Sequence, residues 1–223
     1  MQPIITNSTI LKSSIPPDLL QSVQVGTLNY SYRGVPCQKN PFDLALYTKL
    51  IYELKPATLI EIGTAAGGSA LWFSDLFKTF KLDCQIFSID ANQSSSLELE
   101  NVKFLQGEAE KLERNFTQDF LRRLPKPLLL IEDSAHLYET TLACLRFFDP
   151  YLGLGDFIVV EDGIVNDMVG QQYDQYENGP NRAIATFLEE TLGRYEIDRS
   201  YCDYYGENVT WNTNGYIKPV TGI

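Results

Sequence analysis

At 223 residues with a hydrophobic fraction of 44%, the chain is long enough for one α/β domain with some decoration. A formal net charge of −11 argues against nucleic acid or an anionic membrane as the main partner. No apolar run approaches the roughly 20 residues that span a bilayer. Cys37, Cys84, Cys144 and Cys202 show neither a CxxC nor a zinc-type spacing, and MQPIITNSTILKSS lacks the basic and apolar regions of a signal peptide. The expectation is a reduced, cytoplasmic protein.

Residues 1–30 are mixed in character, and Pro16-Pro17 interrupts any helix there. They read as an N-terminal arm or short helices ahead of a domain spanning 31–223. NYSYRGVPCQKNPFDL reads as a loop feeding a helix. In that helix Phe42, Leu46, Leu50, Ile51 and Leu54 share a face, with Pro41 near the start and Pro56 at the end. Next comes ATLIEIGTAAGGSALWF (57–73): an apolar β-branched run with an acid, Glu61, a turn through Gly63, Gly67 and Gly68, and an apolar helix start. This is the first βα unit of a nucleotide-binding α/β fold.

CQIFSIDAN, VKFLQGEAE, PLLLIEDSAH and GDFIVVEDG follow as further strands separated by helical stretches, which predicts a mostly parallel sheet covered on both faces. After the amphipathic NRAIATFLEETLG, the segments YEIDRSYCDYYG and NVTWNTNGYIKPV are β-rich and adjacent. They read as an antiparallel pair at the sheet edge.

In open α/β sheets ligands bind beyond the carboxyl ends of the strands. Glu61, Asp90, Glu108, Asp133, Glu161 and Asp162 all lie at or just past such ends. Asp90 stands about twenty residues beyond the glycine turn, where an acid accepts bonds from ribose hydroxyls. Glu108 is placed to border an adenine. The turn GTAAGGSA is not GxGxxG and lacks the Lys-Ser/Thr of a P-loop. Glu61 ahead of it would repel a pyrophosphate and favour a cationic ligand such as S-adenosylmethionine (SAM).

Asp133, Glu161 and Asp162 follow neighbouring strands about 4.8 Å apart. Two like charges ~4 Å apart cost roughly 4 kcal/mol at an effective dielectric of 20, so the three must share protons or hold a cation. All-oxygen ligation favours Mg²⁺, with Mn²⁺ or Ca²⁺ as relatives. The single histidine, His136, is either a structural hydrogen-bonding residue or a general base beside these acids.

EIGTAAGGSA, SIDAN, IEDSAH, VVEDGIVND, ENGPNRAIATFLEE and NTNGYIKP together resemble the cephalosporin hydroxylase/rhamnosyl O-methyltransferase family over about residues 32–219. These are class I SAM-dependent methyltransferases of natural-product and cell-surface glycolipid pathways. The resemblance implies a Rossmann-like, seven-stranded, mostly parallel sheet with an antiparallel C-terminal edge pair and helices on both faces. It implies SAM contacts from Glu61, Gly63, Ser69, Asp90 and Glu108, with Thr64, Gly67, Ala91 and Asp133 beside them. It implies Mg²⁺ held by Asp133, Glu161 and Asp162, a layout similar to catechol-type O-methyltransferases.

Gln38, Lys39 and Asn40, together with Tyr204, Tyr205 and the 174–180 loop, are the candidate substrate contacts. The hydroxylase name finds no support, because one histidine cannot supply a 2-His-1-carboxylate iron site. The expected activity is methyl transfer to a hydroxyl of a small molecule or sugar in natural-product biosynthesis, with His136 and Asp133 as catalytic residues. Two rivals stay open: a non-catalytic SAM-binding accessory subunit and a nicotinamide-dependent oxidoreductase. The hydrophobic N-terminal segment and edge strands suggest a homo-oligomer, a dimer or larger.

Overall fold

The first helix, α1 (Pro17–Asn29), begins where the sequence argued for an interruption. Pro17 sits at the first helical position, where the missing N–H costs nothing, so Pro16-Pro17 starts the helix instead of breaking it. A computed structural model of the chain describes residues 10–92 and 95–222; residues 1–9 of the expected arm lie outside the described residues. A short antiparallel hairpin, β1 (Ser31–Tyr32) and β2 (Val35–Pro36), leads to α2 (Pro41–Leu54). Asn40 caps α2 by accepting the Asp43 N–H at 3.0 Å, and Lys55, in the left-handed region, ends it just before Pro56.

From there strand and helix alternate as the spacing predicts. β3 (Thr58–Ile62), α3 (Gly68–Phe80), β4 (Gln85–Asp90) and β5 (Val102–Gln106) come first. A 3₁₀ segment over Ala109–Arg114, α4 (Gln118–Arg122), β6 (Leu128–Glu132), α5 (Tyr138–Phe148) and β7 (Phe157–Val160) follow. The chain closes with a 3₁₀ turn over Gly163–Asn166, α6 (Gln171–Asp174), α7 (Gly179–Glu190), β8 (Tyr195–Ile197), α8 (Arg199–Cys202) and β9 (Tyr216–Pro219). Among the described residues no helix is long and apolar enough to cross a membrane, and all four cysteines are free and buried.

The seven strands run in the order β5-β4-β3-β6-β7-β9-β8. The first five are parallel, and β9 inserts antiparallel between β7 and β8. The edge pair is therefore present, but its strands are much shorter than the β-rich stretches suggested. Asn208, Thr210, Asn212, Thr213 and Asn214 are buried ahead of β9, and their side chains bond one another and the backbone. Such local bonds compete with a strand ladder and hold the segment as a folded turn.

Strand parity assigns every side chain to a layer. Ile60, Ile62, Leu128, Leu130, Ile158 and Val160 pack on the face covered by α5 and α7. Leu59, Ile86, Leu129, Ile131, Phe157 and Val159 pack on the face covered by α2 and α3. The strand ends are held in step: Ile62, Glu132 and Val160 stand side by side across three strands. The ladder continues one residue further, with Gly63 N–H to Ile89 O at 2.7 Å, Asp133 N–H to Ile62 O at 2.7 Å and Glu161 N–H to Glu132 O at 2.8 Å.

Two glycines make this arrangement possible. Gly63 has φ +112°, and a Cβ there would lie 1.8 Å from the Asp133 carbonyl oxygen. Gly68 would place a Cβ 2.1 Å from the Pro36 carbonyl oxygen, so its absence lets the 33–40 loop close over the start of α3. Gly63→Ala should therefore cost at least about 2 kcal/mol of stability, from backbone strain and a clash that only a shift of β6 relieves. Urea denaturation of the variant against the parent chain measures it, and an unchanged midpoint would contradict the close approach.

Candidate active site

A cavity of about 900 Å³ opens beyond the carboxyl ends of the parallel strands. One end is formed by the glycine turn, where Gly63, Thr64 and Ser69 face Asp90, Ala91 and Glu108. The middle carries Asp133, His136, Glu161 and Asp162. The far end is walled by Leu28 of α1 and by Val165, Met168, Tyr173, Tyr176 and Trp211. Among the described residues, no Lys or Arg lines this space. Carboxylates in a recessed site focus a negative potential, which opposes a pyrophosphate and attracts a cationic ligand.

Asp90 closes the glycine turn: its Oδ2 accepts the Thr64 and Ala65 N–H groups at 3.1 and 2.9 Å, and its Oδ1 accepts the Asn92 N–H at 2.8 Å. The Thr64 hydroxyl meets the Ser88 hydroxyl at 2.7 Å. Glu61 has the parity of Leu59, so it points into the α2–α3 layer behind the turn, fully buried and not in the cavity wall. Its Oε2 accepts the Ser88 hydroxyl, while Oε1 has no hydrogen-bond partner, and burial pushes its pKa up to about 7. Gly67 caps α3 at φ +86° and does not line the cavity. Glu108 lies in the wall but is half-exposed and paired with Lys111.

Asp133, Glu161 and Asp162 all reach the cavity wall, but they do not share one set of partners. Glu161 keeps the parity of Val159 and turns toward α2, where Tyr47 donates its hydroxyl to Oε1 at 2.6 Å. Lys39 donates its ammonium to Glu161 Oε2 at 2.5 Å and to Asp133 Oδ2 at 2.6 Å. That lysine is only 5% exposed. Burial alone would lower its pKa, but Asp133, Glu161 and Glu61 outweigh it and hold the ammonium charged. Three carboxylates this close require a counter-charge, and the chain supplies one of its own.

The groups gathered on the cavity side are Asp133, His136 and Asp162, each offering one ligand atom within 4.8 Å of the others. Asp162 adopts φ +56°, which swings it away from Glu161 so that Oδ2 lies 3.3 Å from His136 Nε2. Burial lowers the His136 pKa, but Asp162, Asp133 and Glu132 raise it further, so its net shift is upward. The two carboxylates supply oxygen donors that fit a divalent cation, whose charge would in turn oppose the protonation of His136.

Several expected contacts are not brought to the cavity. Tyr204 and Tyr205, 54% and 47% exposed, lie outside it, with Tyr205 packed on Phe42. They follow α8, whose short turn directs them away from the strand ends. Asn40 is spent capping α2, and Lys39 is buried behind the wall. Gln38 does line the cavity, and so does Tyr176 of the 174–180 loop, edge-on to the His136 ring with centroids 5.7 Å apart.

Sequence reading passed over Tyr47, Asp43 and Trp211. Asp43 is a buried hub: Oδ2 accepts the Trp211 N–H at 3.0 Å, and Thr210 and Asn40 also donate to its carboxylate. Burial pushes its pKa up to about 6. The available signal was the helical i, i+4 spacing of Asp43 and Tyr47 on the apolar face of α2, where polar atoms need partners. Glu132, one residue before Asp133, has the opposite parity and is satisfied by Thr141 at 2.8 Å from α5.

A family model described as rhamnosyl O-methyltransferase/CmcI matches residues 24–220. The rhamnosyl O-methyltransferase of Mycobacterium leprae (strain TN) is 30% identical over 196 residues, covering 84% of this chain and 82% of that protein. The structure of CmcI with Mg and SAM superposes with a TM-score of 0.69 at 25% identity, covering 99% of this chain and 86% of that chain. The apo-structure of CmcI gives 0.68 at 25% identity, covering 95% and 89%.

Tyr47→Phe deletes one hydroxyl without changing the packing volume and leaves a buried carboxylate oxygen short of a donor. The expected loss is about 1–3 kcal/mol, read from chemical denaturation. Stability equal to the parent would mean that Glu161 Oε1 finds another partner.

Proposed function

Because this chain belongs to the rhamnosyl O-methyltransferase/CmcI family, whose members are SAM-dependent O-methyltransferases, we propose that it methylates a hydroxyl of a small molecule or sugar with the help of a divalent cation, Mg²⁺ first. One observation carries this reading. A single cavity joins the glycine turn and Asp90 to the Asp133–His136–Asp162 cluster, so a donor and a hydroxyl acceptor can meet inside it.

SAM, when bound, supplies an electrophilic methyl group on a sulfonium. Gly63, Thr64, Ser69, Asp90, Ala91 and Glu108 are the residues that would hold it, and a lining without Lys or Arg among the described residues suits a ligand without phosphate. A divalent cation supplies charge stabilisation for an acceptor oxygen as its proton leaves. Asp133 and Asp162 would hold that cation from the cavity side, with Glu161 reachable from behind through the carboxylate it shares with Lys39.

The chain's own groups do the rest. Leu28, Met168, Tyr173, Tyr176 and Trp211 exclude water from the acceptor end and offer apolar and aromatic faces to a ring or sugar. His136 would receive the hydroxyl proton in this reading, once a divalent cation held by Asp133 and Asp162 offsets the carboxylate charge that otherwise keeps the imidazole protonated. The family's named acceptors and the stacking surfaces both fit a hydroxylated ring, as in natural-product or glycolipid tailoring.

Exhaustive EDTA treatment should abolish methyl transfer, and added Mg²⁺ should restore it. Asp162→Ala should reduce turnover by at least about 10³-fold while S-adenosylhomocysteine affinity, measured by calorimetry, changes less than about threefold. Full activity after chelation would overturn the metal, and equal loss of both properties would mean the acid cluster belongs to the donor site.

A further inference from the structure

Lys39 stands out as a charged group with no place in the reaction just described. It reaches the acid row from the closed side of the wall, through the loop that Gly68 admits against α3. Its Nζ lies 2.6 Å from Asp133 Oδ2 and 2.5 Å from Glu161 Oε2, and Tyr47 holds the second oxygen of Glu161. Asp133 thus faces two ways. One oxygen binds the internal ammonium, and the residue also belongs to the cavity-side trio with His136 and Asp162.

We infer that Lys39 is a positioning residue that acts as a built-in competitor of the divalent cation: it keeps Asp133 and Glu161 in place when the site holds no metal, and it holds metal affinity down. The inference rests on the reading of the acid cluster as a cation site. Like charges sharing one carboxylate repel, and the repulsion is strong where water is excluded. A divalent ion entering from the cavity must therefore bind against a fixed positive charge on the far side of Asp133. The same ammonium removes the need for metal during folding, because the buried acids are already compensated. The site is thus assembled but only lightly loaded, which suits a cation that exchanges with the cavity rather than one locked into the fold.

The test compares the full-length parent chain with Lys39→Met, after chelation, using Mn²⁺ as the probe. Free Mn²⁺ is followed by electron paramagnetic resonance and unfolding by thermal scans. Lys39→Met should bind Mn²⁺ at least about tenfold more tightly. Without metal it should melt below the parent, and Mn²⁺ should raise its Tm by more than it raises the parent's. A merely structural role would not tighten binding. Lys39→Gln, which keeps a donor for Glu161 but removes the charge, is the second variant should Lys39→Met fail to fold, and it should also bind Mn²⁺ more tightly. Equal or weaker binding by the variants, with clear binding by the parent, overturns the role of Lys39 alone. Absence of Mn²⁺ binding by parent and variants overturns the cation site and the inference with it.

Discussion

The ion pair of Lys39 with Asp133 and Glu161 is the interaction on which the site depends. Parallel strands ending in step deliver carboxylates to one row, and the fold offers them little water. Unpaired, such charges would cost far more than the packing around them returns. The lysine resolves the conflict from the sealed side of the sheet and leaves the open side acidic. Each neighbouring feature can be traced to that solution. Gly68 lets the 33–40 loop approach, Asn40 and Asp43 fix the start of α2 behind it, and Tyr47 completes the Glu161 shell.

The same division explains why adjacent acids do different work. Glu132 and Asp133 are consecutive, as are Glu161 and Asp162, yet members of each pair face different surroundings. Glu132 looks into the α5–α7 layer and is satisfied by Thr141; Glu161 looks into the α2–α3 layer and is satisfied by Tyr47 and Lys39. Asp133 and Asp162, just beyond, are the ones offered to the cavity with His136. Alternation separates the members of each pair, while the position just past the strand ends, with the left-handed backbone of Asp162, brings Asp133 and Asp162 to His136.

The C-terminal turn supports this from a distance. The Asn181 amide donates to the Gly163 carbonyl at 2.8 Å, and the Asn214 amide donates to Asn181 Oδ1 at 3.0 Å. Gly163 has no room for a side chain, since a Cβ would sit 2.5 Å from the Thr213 carbonyl oxygen. The left-handed backbone of Asp162 is thereby held by a buried amide network reaching back to Leu11. Asn214 thus belongs both to the turn that keeps β9 short and to the network that holds Gly163 beside Asp162.

Much of this was legible in the chain alone. Hydrophobic periodicity predicted the alternating strands and helices, because burial on both faces leaves continuous apolar runs such as LLLIE and FIVV. The glycine turn and the strand-end acids located the cavity, since parallel strands deliver their carboxyl ends to one side. The order of the motifs pointed to the family, to which the chain belongs. What the sequence could not express is which groups meet across long separations. Lys39 finds Asp133 across 94 positions and Glu161 across 122, and α1 forms part of the cavity wall although its sequence is nondescript. Local patterns record the period and the ends of elements; the partner of a buried charge is chosen only when the layers close and exclude the water that would otherwise solvate it.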